Sequence, residues 1–136
     1  VITARFLLDT NICIYAARSK SPQLQARFAK LRPGEAQLSV ITFGELQFGA
    51  AKSQHRAAVL IGLQELTALI PVQPLPLEAG IEYGRIRARL EARGEPIGGN
   101  DLWIAAHARV AGLVLVTNNT TEFSRVPGLK LQNWAA

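Results

Sequence analysis

The stretch RFLLDTNICIYAAR, residues 5–18, decides the fold. Phe6, Leu7 and Leu8 form a short apolar run with no polar face, the pattern of a strand buried on both sides. Asp9 ends the run, and helical spacing then extends from about Asn11 to Ala17. A strand that stops on an acid and passes directly into a helix is the first half of a β–α unit. A related pattern recurs twice. Gln37 to Ile41 reads as a strand followed by a helix capped by Thr42, with Glu45 in its first turn and Phe43, Leu46 and Ala50 on an apolar face. Gly98, Gly99 and Asn100 lead into Asp101, which opens a helix from Asn100 to Ala111.

The remaining segments alternate in the same way. Pro22 to Leu31 reads as a helix with proline at its first position, closed by the turn Arg32, Pro33, Gly34. Arg56 to Leu69 carries Val59, Leu63, Leu66 and Ile70 at helical spacing, and a strand from Ile70 to Val72 is kept short and peripheral by prolines at 71, 74 and 76. Pro76 is expected to start the longest helix, with Ala79, Tyr83, Ile86 and Leu90 as its buried stripe and Gly94 as a left-handed stop. A strand Leu113 to Thr117, a helical turn near Glu122 and a last strand Lys130 to Gln132 follow. The alternation predicts an α/β protein: a three-layer α/β/α sandwich around a central, mainly parallel sheet of four to five strands, formed by residues 1–136 as a single domain.

Composition narrows the function classes. The net charge of +5 favours a polyanionic partner. Arg85, Arg89 and Arg93 recur at helical spacing and form a candidate RNA-binding stripe, with Arg18, Lys20, Lys52 and Arg56 near other helix ends. Cys13 is the one cysteine and sits among Ile12, Ile14 and Tyr15, so an internal disulfide and a zinc site are excluded and a buried, inert thiol is expected. No apolar stretch approaches the ~20 residues that span a bilayer. A cytoplasmic protein without a membrane partner is the expectation.

Asp9, Glu45 and Asp101 are distant in the chain, yet each follows an apolar segment. In open parallel sheets ligands gather beyond the carboxyl ends of the strands, so these acids, with Asn11, Thr117 and the Asn118, Asn119, Glu122 cluster, are placed to meet in one crevice. Each acid also has a bland role: Asp9 as a helix cap, Thr42 with Glu45 as a capping box, Asp101 as a first-turn acid facing the helix dipole. A cleft of carboxylates calls for a cation, and hard oxygen ligands favour Mg2+ or Mn2+. Hydrolysis of a phosphate ester is the chemistry this implies. Two other readings stay open: a metal-independent ribonuclease using His55 and His107 as an acid/base pair, and a non-catalytic RNA-binding module. Dinucleotide and P-loop motifs are absent, and Asp9, Thr10, Asn11 lacks the second aspartate of a phosphotransfer loop.

Four stretches carry a resemblance: LLDTNICIY at 7–15, SVITFGELQFGAAKS at 39–53, YGRIRARLEARGEPIGGNDLWIAAHA at 83–108 and LVTNNTTEFSRVPGLKLQNW at 115–134. In this order they resemble the VapC toxins of the PIN-domain ribonucleases, and the enteric subgroup acting on initiator tRNA in particular. The resemblance implies a Mg2+-dependent endoribonuclease that cuts an RNA phosphodiester in the anticodon loop, leaving 5′ phosphate and 3′ hydroxyl ends and inhibiting translation. It assigns Asp9, Glu45 and Asp101 as metal-binding catalytic acids, with Asn11 and Thr117 as supporting polar residues. Asn119 stands where many members carry an acid, so Glu122 is assigned the neighbouring catalytic role. It also implies a VapB-type antitoxin that inserts an arginine near the acids, a toxin homodimer, and operator DNA bound only through the toxin–antitoxin complex.

Overall fold

The computed structural model describes residues 3–18 and 21–135, so Lys20 lies outside the described residues. The chain runs β1 (Phe6–Leu8), α1 (Thr10–Arg18), α2 (Pro22–Ala29), β2 (Ala36–Ser39), α3 (Val40–Ala51), α4 (Arg56–Leu69), β3 (Val72–Gln73), α5 (Ala79–Ala92), α6 (Gly99–Ala111), β4 (Val114–Val116), α7 (Thr120–Phe123) and β5 (Leu131–Gln132). The five strands form one sheet in the order β3-β2-β1-β4-β5, and every neighbouring pair is parallel. This is the predicted α/β sheet.

Side chains of β1 alternate between the two faces, and the core divides with them. Leu7 joins Ile86 and Leu90 of α5, Leu102 and Ile104 of α6, and Phe123 of α7. Phe6 and Leu8 point the other way, towards Ile12 of α1, Leu24 of α2, and Ile70 and Trp134. Helices therefore cover both faces. That explains why β1 lacks a polar side.

Trp134 closes the second core. It is 3% exposed, meets Phe6 edge-on at 5.0 Å and Phe28 at 6.1 Å, and donates its indole N–H to Gln132 Oε1 at 2.9 Å. Trp134→Ala is expected to cost about 3–5 kcal/mol of stability, measured by the denaturant midpoint. A change below about 1 kcal/mol would mean that this corner contributes little.

Several boundaries differ from the sequence expectation for local reasons. The expected strand 37–41 ends at Ser39, whose extended backbone and side chain cap α3 by accepting from the Ile41 N–H at 3.2 Å. Thr42 is therefore inside the helix and the capping box with Glu45 does not form. α5 begins at Ala79, because Pro76 to Glu78 make a turn in which Ala79 N–H donates to the Pro76 carbonyl. At 14 residues it equals α4 in length. Gly94 does adopt the left-handed conformation, at φ +69°, and ends α5 as expected.

β3 is a two-residue edge strand that starts after Ile70. Prolines at 71 and 74 bracket it, in keeping with their missing amide donors.

Candidate active site

The sheet order creates the crevice. β1, β2 and β3 run outward on one side, after which the chain returns to place β4 against the other side of β1. The switch point thus lies between β1 and β4, where Asp9 and Thr117 follow the last residues of the two strands. Thr117 Oγ1 donates to Asp9 Oδ2 at 2.5 Å, and the Asp9 N–H donates to the Val116 carbonyl at 3.0 Å.

Asp9 combines its bland role with its site role. Its Oδ1 accepts the Ile12 N–H at 2.8 Å and so caps α1, while its Oδ2 faces Thr117. A carboxylate oxygen has more than one acceptor direction, so both bonds leave capacity for a ligand. Asp9 is 2% exposed. Burial raises its pKa, the Thr117 and Ile12 bonds oppose that rise, and the Glu45 charge adds to it.

Glu45 occupies the second turn of α3 rather than its cap. Its Oε1 accepts from Thr10 Oγ1 at 2.5 Å, and the same hydroxyl lies 3.3 Å from Thr42 Oγ1. Thr10, within the LDTN stretch but assigned no role from sequence, thereby ties the start of α1 to α3. Its hydroxyl next to Asp9 was the available signal.

Asp101 stands in the first turn of α6, as expected, beside Glu122 of α7, and each carboxyl moves the other's pKa. Asp101 is the raised partner, pushed up to about 7 by burial first, then by the bond and charge of Glu122 and by the charges of Asp9 and Glu45. Glu122 is held lower, chiefly by the Asp101 bond, with help from the Gly98 N–H, Asn119 and the Arg125 charge.

Glu122 is a junction. Its Oε1 accepts the Gly98 N–H and its Oε2 accepts from Asn119 Nδ2, each at 3.1 Å. Asn119 in turn donates its backbone N–H to Thr117 Oγ1 at 2.9 Å. Asn119 therefore positions the acid three residues later instead of supplying one. Arg125 Nη1 donates to the Pro96 carbonyl at 3.1 Å, fastening the loop before α6 to the end of α7. No sequence periodicity pointed to Arg125.

The other expected residues fall outside this cluster. Asn11 is exposed in the first turn of α1 and makes no side-chain hydrogen bond to the four acids among the described residues. Arg85, Arg89 and Arg93 are exposed along α5, and Arg85 is engaged by Glu82 at 3.1 Å. His107 is 2% exposed inside α6, its Nδ1 has no hydrogen-bond partner, and burial lowers its pKa. His55 is exposed before α4. A buried ring and a surface ring cannot share one RNA phosphate, so the acid/base pair is not formed. Cys13 is buried, and burial followed by the Asp9 charge pushes its thiol up, so it is the inert thiol expected.

The donor set fits a hard, hydrated cation. Asp9 and Asp101 each have a raised pKa to which neighbouring carboxylates contribute. Among the described residues no three acids, histidines or cysteines stand close enough to chelate an ion unaided. Mg2+ keeps several waters and commonly takes one or two carboxylates plus substrate phosphate, so an open acidic crevice suits it better than a closed protein cage.

Thr117→Val tests the junction between β1 and β4. It removes the donor to Asp9 and the acceptor for Asn119, and a loss of roughly 10–100-fold in activity is expected from a residue that orients a candidate metal ligand. Steady-state cleavage alongside an unchanged circular dichroism spectrum is the check.

A family model described as PIN domain matches residues 6–129. The chain is 41% identical over 131 residues to the tRNA(fMet)-specific endonuclease VapC of Shigella flexneri, spanning 96% of this chain and 98% of the relative. It is similar to the DNA-bound VapBC structure from Salmonella typhimurium, with a TM-score of 0.91, 37% identity and 97% and 99% of the two chains covered. VapBC-1 from nontypeable Haemophilus influenzae gives a TM-score of 0.87 at 35% identity, covering 96% and 98%.

Proposed function

The chain belongs to the PIN-domain family, in its VapC branch, and from that premise we propose that it is the toxin of a type II toxin–antitoxin pair, a divalent-metal-dependent endoribonuclease that cuts initiator tRNA. The observation that carries this reading is that Asp9, Glu45, Asp101 and Glu122 feel one another's charge around the β1–β4 switch point.

Asp9 and Asp101 would hold Mg2+, or Mn2+ in its place, with Glu45 completing the site or orienting a water. A cation bound there supplies Lewis acidity at the phosphate and lowers the pKa of attacking water. Asp9 is aimed by the Ile12 N–H and Thr117, and Glu45 by Thr10. Asp101, its pKa pushed up to about 7, must lose its proton to present a second charge beside Glu122. Asn119 and the Gly98 N–H keep Glu122 in place as this happens.

The anticodon loop is the favoured cut site, because an unpaired loop exposes its backbone more readily than a duplex. The net charge of +5 supports binding to such a polyanion. A VapB-type antitoxin and a toxin homodimer complete the reading, with operator DNA engaged only through the toxin–antitoxin complex. Phe48, 66% exposed on α3, and Ile61, 58% exposed on α4, support a protein contact outside the two cores. Among the described residues no helix is long and apolar enough to cross a membrane.

Sequencing RNA 5′ ends after brief expression tests the proposal. A discrete cut in initiator tRNA is expected with wild type and none with Asp9→Asn. Equal cutting by both proteins would remove Asp9 from the chemistry.

A further inference from the structure

We propose that a small cavity at the acidic end of the α5–α6 pair seats one unpaired nucleobase beside the scissile phosphate. The inference rests on the ribonuclease reading and adds to it a subsite for the base. The cavity measures about 240 Å3. Leu90, Ile97 and Leu102 give it an apolar wall, and Arg87, Glu91 and Gly99 line its polar side.

Size decides what class of group it takes. Pockets for drug-sized ligands run to roughly 300–1,000 Å3, so this one suits a single ring system rather than a whole cofactor. A nucleobase has apolar faces and a polar edge, and the cavity is lined by groups of both kinds. None of the four acids lines the cavity, but it lies one residue from Gly98, whose N–H is held by Glu122 and where an added Cβ would lie 3.6 Å from Asp101 Oδ2.

The polar side is arranged before any base arrives. Arg87 Nε donates to Glu91 Oε2 at 2.8 Å, and Arg87 Nη1 donates to the Tyr83 hydroxyl at 2.9 Å. Tyr83 is itself stacked on Trp103, with centroids 4.0 Å apart and planes at 19°. The guanidinium is thus oriented by two partners while its Nη2 has none among the described residues, and Glu91 Oε1 is likewise unused. Together they offer a donor and an acceptor to one base edge, the pairing by which arginine and acidic side chains read bases.

Gly99 provides the cleanest intervention. A Cβ built there meets nothing within 4 Å, so a larger side chain can be placed at the cavity rim without striking the protein. Gly99→Leu and Arg87→Ala should be compared with wild type on an RNA hairpin carrying the cut loop. A second set of hairpins should place an abasic nucleotide on either side of the scissile phosphate.

With intact RNA each variant is expected to raise KM about tenfold, the scale of one base contact, with kcat within about twofold. One abasic hairpin should raise the wild-type KM by a similar factor, and on that hairpin the variants should lose nothing more. Variant defects of equal size on intact and abasic RNA would overturn the subsite. So would a wild-type KM indifferent to both abasic positions. Wild type that cuts no RNA at all would instead overturn the ribonuclease reading, taking the subsite with it.

Discussion

Asp101→Asn is expected to lower RNA cleavage by about 100-fold or more, since it removes a proposed ligand rather than a group that orients one. The same change is expected to leave the cation-free protein at least as stable as wild type. The reason is that burial, and then the neighbouring Glu122, disfavour the charged form of Asp101. Asp101 has its folded pKa raised from 3.8 to about 7, so its proton-bound form is favoured by folding. Its contribution is full below the unfolded value and is lost as pH rises through about 7. Asp9 is raised too and acts in the same direction. Glu122 is lowered, so its contribution appears above its ordinary value of 4.5 and is lost on acidification.

Cation-free wild type should therefore decline in Tm from mildly acidic pH towards about pH 8, whereas Asp101→Asn should decline less. Thermal melts in EDTA across that range are the measurement. A large fall in the variant's Tm at every pH would mean that Asp101 is chiefly a structural residue of α6.

Chelation is expected to have the other large effect. EDTA should abolish cleavage, and Mg2+ should restore products with 5′ phosphate ends. In parallel, Mg2+ at about a hundred times its Kd should stabilise the fold by ~2.7 kcal/mol, a rise in Tm of roughly 8–12 °C for a chain of this size. The rise should be larger above about pH 7, where Asp101 no longer holds its proton against a cation. Asp9→Asn should reduce it sharply. Undiminished cleavage in EDTA with cyclic-phosphate products would defeat the metal-dependent chemistry.

Much of this site was legible because its parts are local. The apolar run from Phe6 to Leu8, stopped by Asp9, shows in the sequence as a buried strand ending on an acid. Its two core faces depend only on strand alternation. Asp101 after two glycines marks the start of α6 for similarly local reasons. Glu45 was found for a partly wrong reason: Thr42 resembles a cap, but Ser39 at the end of β2 takes that position and moves Glu45 one turn onward.

Arg85, Arg89 and Arg93 show the limit of periodicity. Their spacing places them on exposed surface, yet it cannot distinguish a solvated stripe from a site. Arg87, outside that stripe, borders the cavity beside α6 and is held by Glu91 and Tyr83.

By itself the sequence determined the alternation of strands and helices, the acids at their junctions and the resemblance to VapC ribonucleases, because these depend on neighbouring residues or ordered motifs. Only the tertiary structure decided that Thr117 bonds Asp9, Thr10 bonds Glu45 and Glu122 stands beside Asp101. Those pairings follow from the order of the strands and the packing of α3, α6 and α7 around them. Such long-range contacts have no counterpart in the spacing of residues along the chain.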